Sequence, residues 1–170
     1  VMGLKEEHKN NLPYVRLIKA EMQNFKSVRN GEIVFSCGKK EVSYDTKSDI
    51  LGIYGQNGSG KTSFIEALNI LQCLLVGGSI PNVFSECVAK GSEYARLAFH
   101  FDLQYGDGKK RKVVYEFKLR TEEDPEAIRE MEKKLEDFPD YSLDFMPVDK
   151  VVVYDEKLSV AGDFFGENKK

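Results

Sequence analysis

One stretch, Gly55-Gln56-Asn57-Gly58-Ser59-Gly60-Lys61-Thr62, restricts what this chain can fold into more than any other. It follows the apolar run Ile50-Leu51-Gly52-Ile53-Tyr54 and precedes an apolar, helix-forming run from Phe64 to Val76. The spacing G-x-x-x-x-G-K-T suits a loop that turns tightly around an anion, because glycines leave room for backbone N–H groups to point inward. The positive end of the following helix adds to that field. Lys61 reaches β and γ phosphates as a compact point charge, and the Thr62 hydroxyl completes the shell of a Mg²⁺ that keeps several waters. The expected ligand is a Mg²⁺-bound nucleoside triphosphate. Its binding residues are Gly55, Gln56, Asn57, Gly58, Ser59, Gly60, Lys61, Thr62 and Ser63, with Thr62 as the metal ligand. A strand before the loop and a helix after it are the context that separates this motif from a ligand-free glycine turn.

A chain of 170 residues, 41% hydrophobic and 31% charged, is long enough for one globular domain with a sizeable core. Its net charge of -3 gives no overall basic field toward nucleic acid or anionic membrane, so any such contact must be a local patch. Cys37, Cys73 and Cys87 are odd in number and lack C-x-x-C spacing, which argues against a disulfide framework or a zinc site and for reduced thiols. The longest apolar candidate, Ile65 to Val76, is interrupted by Glu66, Asn69 and Gln72, and Val1 to Asn11 has no signal-peptide core. A cytoplasmic protein with no membrane partner is expected. Neither repeats nor low-complexity segments occur.

Along the chain, Tyr14 to Phe25 alternates as a strand with one slip of phase between Leu17 and Ala20, which predicts a bulge. Turn chemistry at Asn30-Gly31 and the run Glu32 to Cys37 predict a hairpin, and Val42 to Tyr44 a short third strand. Ile50 to Tyr54 reads as the buried strand that delivers the loop. The helix from about Lys61 to Val76 is apolar on most sides, as a core helix packed on a sheet would be, and Gly77-Gly78 ends it. A second short helix is predicted over Asn82 to Ala89. Two alternating runs, Tyr94 to Tyr105 and Lys112 to Thr121, predict a long antiparallel hairpin over about 94–121. Asp124 as N-cap and Pro125 at the first helical position open a surface helix over about 124–138. Lys150 to Ala161 reads as a further strand, and Gly162 to Lys170 as a turn or a frayed end.

Three segments carry a family resemblance: Met22-Gln23-Asn24-Phe25-Lys26-Ser27-Val28 with Gly31-Glu32-Ile33-Val34-Phe35, the phosphate loop, and Phe64-Ile65-Glu66-Ala67-Leu68. Over Leu17 to Leu75 this pattern resembles the N-terminal part of the ABC-type AAA-family ATPases related to the OLD, RecF and SMC proteins. The resemblance implies an α/β P-loop NTPase fold, an ABC ATPase-like lobe with an antiparallel β-subdomain. Residues 1–170 would be the N-terminal portion of a single ATPase domain that is incomplete here. It also implies ATP rather than GTP, through the G-x-N-G-S-G-K-T form of the loop. In the full-length protein it implies a head-to-tail homodimer that hydrolyses ATP, coupled to DNA transactions or phage defence, with DNA and a nuclease as possible partners. The alternative is a nucleotide-sensing or assembly module that does not hydrolyse ATP and docks such a nuclease.

Two further motifs have competing readings. Val151-Val152-Val153-Tyr154-Asp155-Glu156 fits the hydrophobic strand ending in Asp-Glu that holds Mg²⁺ through water and polarises the attacking water. Against that, Lys157 to Gly162 continues the strand where the chain should leave the sheet, and no signature helix precedes it, so a β-subdomain strand is the competing reading. Leu158 to Gly162 mimics a signature motif on the wrong side of it. The basic run Lys109-Lys110-Arg111-Lys112 at the tip of the long hairpin could touch DNA phosphates, or be a solvated tip that discourages edge pairing. His8 and His100 are assigned no catalytic role.

Overall fold

The computed structural model describes residues 14–35, 52–105, 109–137 and 149–161. Alternating residues build five strands: β1 Tyr14–Phe25, β2 Val28–Val34, β3 Ala95–Gln104, β4 Lys110–Glu123 and β5 Asp149–Ala161. They form one sheet in the order β2-β1-β3-β4-β5, with every neighbouring pair antiparallel. The period of two sends Ala20, Met22, Leu97, Phe99, Tyr115, Phe117 and Leu119 to one face, where all are buried. Helix α1, Lys61–Leu75, adds Phe64, Ala67, Ile70 and Leu71 to the same core cluster, with Phe84 and Cys87 beside them. Each large apolar side chain removed from water there contributes about 1.5–3 kcal/mol. The other face carries ion pairs: Arg96 bridges Glu21 and Glu116, and Lys19 bridges Glu21 and Glu32.

Local chemistry explains the boundaries. The β1–β3 register shifts between Leu17 and Lys19, a bulge at the predicted slip of phase. Helix α1 stops in a Schellman arrangement, with Gly77 at φ 70 and the Gly78 N–H donating to Cys73 O at 2.8 Å. Helix α2, Pro125–Asp137, starts at Asp124, whose Oδ1 accepts the Glu126 N–H at 3.1 Å. No residue of α2 is buried, and Ile128, Met131 and Leu135 are half-buried.

Three expectations need correction. The first hairpin turns at Lys26-Ser27, not at Asn30-Gly31, which pair with Gln23 and Met22 inside the ladder. Gly31 serves there because a Cβ would meet Val28 Cγ1 at 2.8 Å, and the turn is held from outside by Lys26 N–H on Cys87 O and Ala89 N–H on Asn24 O, both 2.8 Å. Those same bonds draw Cys87–Ala89 into pairing, so the predicted helix over Asn82 to Ala89 shrinks to a 3₁₀ turn, Asn82–Phe84. Finally, Gly52 to Tyr54 are irregular where a strand is predicted, and Ile50 and Leu51 lie outside the described residues. A buried strand needs partners for its backbone groups, and among the described residues every strand is engaged in the antiparallel sheet without pairing with 52–54. The predicted strand at Val42 to Tyr44, Cys37 and His8 also lie outside the described residues.

Candidate phosphate-binding site

The loop is exposed from Gly55 to Ser59 and enters α1 at Lys61. Gly58 and Gly60 adopt φ 83 and 89, a region closed to most side chains. Gly60 is constrained twice, since a Cβ there would also lie 2.7 Å from Val28 Cγ2. A Cβ on Gly55 would lie 2.8 Å from Ser59 Oγ, so the loop folds back on its own first residue. Lys61 Nζ fills this fold, donating to Gly55 O at 2.7 Å, Gln56 O at 2.6 Å and Ser59 Oγ at 3.3 Å. Three ammonium donors therefore tie both arms of the loop around the lysine.

The start of α1 is open to an anion. Its first-turn N–H groups have no intrahelical partners, Gly60 offers no side-chain cap, and no acidic residue occupies the first turn. Beside it lies an open depression of about 490 Å³ lined by Ile53, Lys61, Thr62 and Ile65. Thr62 is exposed there, whereas Ser63 is 5% exposed and its Oγ sits 3.3 Å from Ser27 Oγ. The Ser63 hydroxyl is thus turned into the protein, leaving its backbone N–H as the group that can face an anion. Gln56 and Asn57 are exposed on the outer arm. Convergent N–H groups, one ammonium and one hydroxyl suit a polyphosphate. Among the described residues no cluster of His, Cys, Asp and Glu could hold a metal by itself. The Thr62 hydroxyl fits a hard cation that arrives with its phosphates.

Asp155 and Glu156 are not brought to this loop. They lie on β5 at the edge of the sheet, separated from β1 by β3 and β4, roughly 14 Å at ordinary strand spacing. Asp155 sits at φ 51 with Lys118 Nζ at 2.7 Å and Lys157 Nζ at 3.1 Å, and these ammonium groups hold its carboxyl below the usual range. Glu156 Oε1 accepts the Tyr115 hydroxyl at 2.5 Å. β5 is therefore a strand of the antiparallel sheet with its carboxylates engaged there, and it runs on through Ala161 over the segment that mimics a signature motif.

In the basic run, β4 begins at Lys110, Arg111 lies over the Tyr105 ring at 5.2 Å, and Lys112 is exposed. His100 Nε2 is 3.0 Å from Glu21 Oε1 on the charged face. Cys73 and Cys87 are free, and burial pushes the Cys87 thiol up to about 11. Among the described residues no helix is long and apolar enough to cross a membrane. What sequence reasoning missed is the contact of Lys26, Ser27 and Val28 with the loop and its helix. Only the family pattern around N-F-K-S-V signalled that these residues matter.

A family profile described as an AAA domain matches residues 19–158. Among curated proteins, the DNA replication and repair protein RecF of Chlorobium phaeovibrioides (strain DSM 265 / 1930) is 30% identical over 92 residues, covering 54% of this chain and 21% of that protein. The match thus spans about a fifth of that relative's length. No solved structure matches.

Proposed function

The chain belongs to the AAA domain family, and on that premise we propose that residues 55–63 bind Mg-ATP as part of an ABC-type ATPase lobe. In this reading the full-length protein hydrolyses ATP in a head-to-tail homodimer that acts in DNA transactions. The observation that carries it is Lys61, seated on three acceptors of its own loop at the uncapped start of α1. Neutral carbonyls are partners an ammonium can exchange for phosphate oxygens, while the first-turn N–H groups take the α and β phosphates. The Thr62 hydroxyl would help hold a Mg²⁺ that arrives with the nucleotide, and that ion would supply neutralisation of the phosphate charge. Hydrolysis is direct attack of water on the γ phosphate, achieved mostly by positioning. Similarity to a protein named for DNA replication and repair supports the DNA link.

A second reading, a module that holds ATP without hydrolysing it and docks a partner such as a nuclease, is favoured by one observation. The carboxylates of Asp155 and Glu156 are engaged by Lys118 and Tyr115 and do not serve the loop. Mg-ATP binding and turnover by the full-length protein, with Lys61→Ala as control, test both. Lys61→Ala is expected to weaken binding about 10- to 100-fold, the worth of one or two charge-assisted hydrogen bonds. Equal binding by Lys61→Ala overturns the site. Tight binding with no turnover above the control establishes the second reading.

A further inference from the structure

The edge of a sheet presents backbone N–H and C=O groups that a further strand can pair with. Here the edges are β2, of 7 residues, and β5, of 13. The two halves of β5 are covered differently. Lys150 to Tyr154 are half-buried, whereas Asp155 to Ser159 and Ala161 are exposed, and Leu158 keeps 67% of its surface open. The change comes at a bulge: Glu116 pairs with Lys157 but Lys118 with Tyr154, so Asp155 and Glu156 together oppose Phe117, and Asp155 takes φ 51. Beyond the bulge the ladder is regular, from Glu116 with Lys157 to Lys112 with Ala161. Paired residues share a face, so Leu158 opposite Tyr115 and Val160 opposite Val113 extend the apolar face that packs on α1. The usual protections of an edge are sparse along 157–161. The segment has no proline, and its one charge, Lys157, lies on the other face, 3.1 Å from Asp155.

We propose that Lys157 to Ala161 pair with the same residues of a second copy of this chain, antiparallel and centred on Ser159, joining two five-stranded sheets into one across a two-fold axis. The register follows from what each choice sets opposite. Centred on Ser159, Leu158 meets the partner's Val160, twice by symmetry, Lys157 meets the partner's Ala161, and Ser159 meets the partner's Ser159. Centring on Lys157 would oppose two ammonium groups, and centring on Leu158 would set Val160 against a Glu156 carboxylate that Tyr115 already holds. Centring on Val160 would set Leu158 against a glycine. Only the Ser159 register matches apolar with apolar and leaves no like charges facing each other. Its two-fold axis stands perpendicular to the sheet, so both α1 helices and both phosphate loops stay on one side, with the two β1 strands roughly 34 Å apart at ordinary strand spacing. The contact covers neither loop and requires no nucleotide. It is therefore separate from the head-to-tail contact of the proposed function and does not rest on that reading.

The test is sedimentation equilibrium of the full-length protein without nucleotide, with thermal unfolding followed on each variant. The wild type should be a dimer. Leu158→Asp, at an exposed position, should weaken it about 100-fold, since two apolar contacts per dimer are lost at about tenfold each. Ser159 is exposed too, and Ser159→Lys and Ser159→Glu should each weaken the dimer several-fold by setting like charges opposite each other. An equimolar mixture of those two variants should form a mixed dimer at least as tight as the wild type. A wild type that stays monomeric without nucleotide overturns the proposal and leaves the edge to a strand from elsewhere in this chain or from a different protein. A dimer that forms only with Mg-ATP also overturns it, while supporting the nucleotide reading. A nucleotide-free dimer that fails to bind Mg-ATP overturns the nucleotide reading alone. A dimer untouched by Leu158→Asp and by both Ser159 variants lies at another surface, and a mixture no tighter than either Ser159 variant overturns the register.

Discussion

The loop at 55–62 and the β5 segment at 151–156 both place charged groups beside apolar residues, but they satisfy those groups differently. In the loop, Lys61 rests on backbone carbonyls and a hydroxyl at an exposed position. On β5, Asp155 rests between two ammonium groups, and Glu156 holds the hydroxyl of Tyr115, a residue 9% exposed. Burial, with the Glu156 bond, pushes that phenol above its ordinary range. If Lys61 turns toward a ligand, water can replace it at the carbonyls. If Glu156 turns away, a largely buried hydroxyl loses its partner, at a cost of about 1–3 kcal/mol. A polar group is available to a ligand when its resting partners can be given up cheaply. By that measure the charged group of the loop is open to a ligand, as the proposed function needs, and the β5 carboxylates are held within the sheet.

The largest expected effect is at Gly60. Gly60→Ala puts a side chain at φ 89 and a Cβ 2.7 Å from Val28 Cγ2, so stability should fall by about 2–5 kcal/mol in urea unfolding. Adding Val28→Ala should return only the steric part. The matching site on β5, Asp155 at φ 51, already carries a side chain in the left-handed region that Asp and Asn tolerate. Asp155→Asn, which keeps a residue type that tolerates this region at an exposed position, should therefore leave the urea midpoint close to that of the wild type. Equal losses at the two positions would erase the contrast between them.

Next in size is the Tyr115–Glu156 pair. Tyr115→Phe should lower stability by about 0.5–1.5 kcal/mol, and Glu156→Gln, which keeps an acceptor, by less. Neither should change Mg-ATP affinity or turnover in the full-length protein. A Glu156→Gln variant that binds ATP but loses turnover would return Glu156 to the catalytic candidates and break the comparison outright.

Much of this was legible in the sequence wherever one local rule acted alone. Strict alternation placed β3 and β4, Gly77-Gly78 ended α1, and Asp124-Pro125 opened α2. The loop's glycines could be read from their spacing because the turn they make is local. What could not be read depends on residues far apart in the chain. Asn30-Gly31 looks like a turn, yet Gly31 makes room for Val28 inside a ladder, and the turn falls at Lys26-Ser27 because Cys87 and Ala89 hold it there. Helical spacing over Asn82 to Ala89 lost to the same long-range pairing. Asp155-Glu156 matched a catalytic pattern because an edge strand with exposed acids has the same spelling, and only the neighbours Lys118 and Tyr115 tell the two apart.

Acid offers the finest probe of the difference, since Lys61's acceptors do not titrate and the partners on the sheet's outer face do. Glu21 is pushed down to about 2, chiefly by its bond to Lys19, with Arg96 and His100 helping against partial burial. A carboxyl depressed in the folded state binds fewer protons there than in the unfolded chain. Its contribution is therefore whole above the unfolded value of 4.5 and fades as pH falls toward 2. Urea midpoints of the wild type should thus drop more steeply below about pH 4.5 than those of Glu21→Gln, a difference on the order of 1 kcal/mol after solvent screening. Asp155 and Glu116, both also held low by cationic neighbours, shift the wild-type curve in the same direction. Parallel curves for wild type and Glu21→Gln would mean that water screens these pairs fully. The outer-face carboxylates would then be as free to serve a ligand as Lys61 is, and the distinction drawn between the two regions would rest on Tyr115 and Glu156 alone.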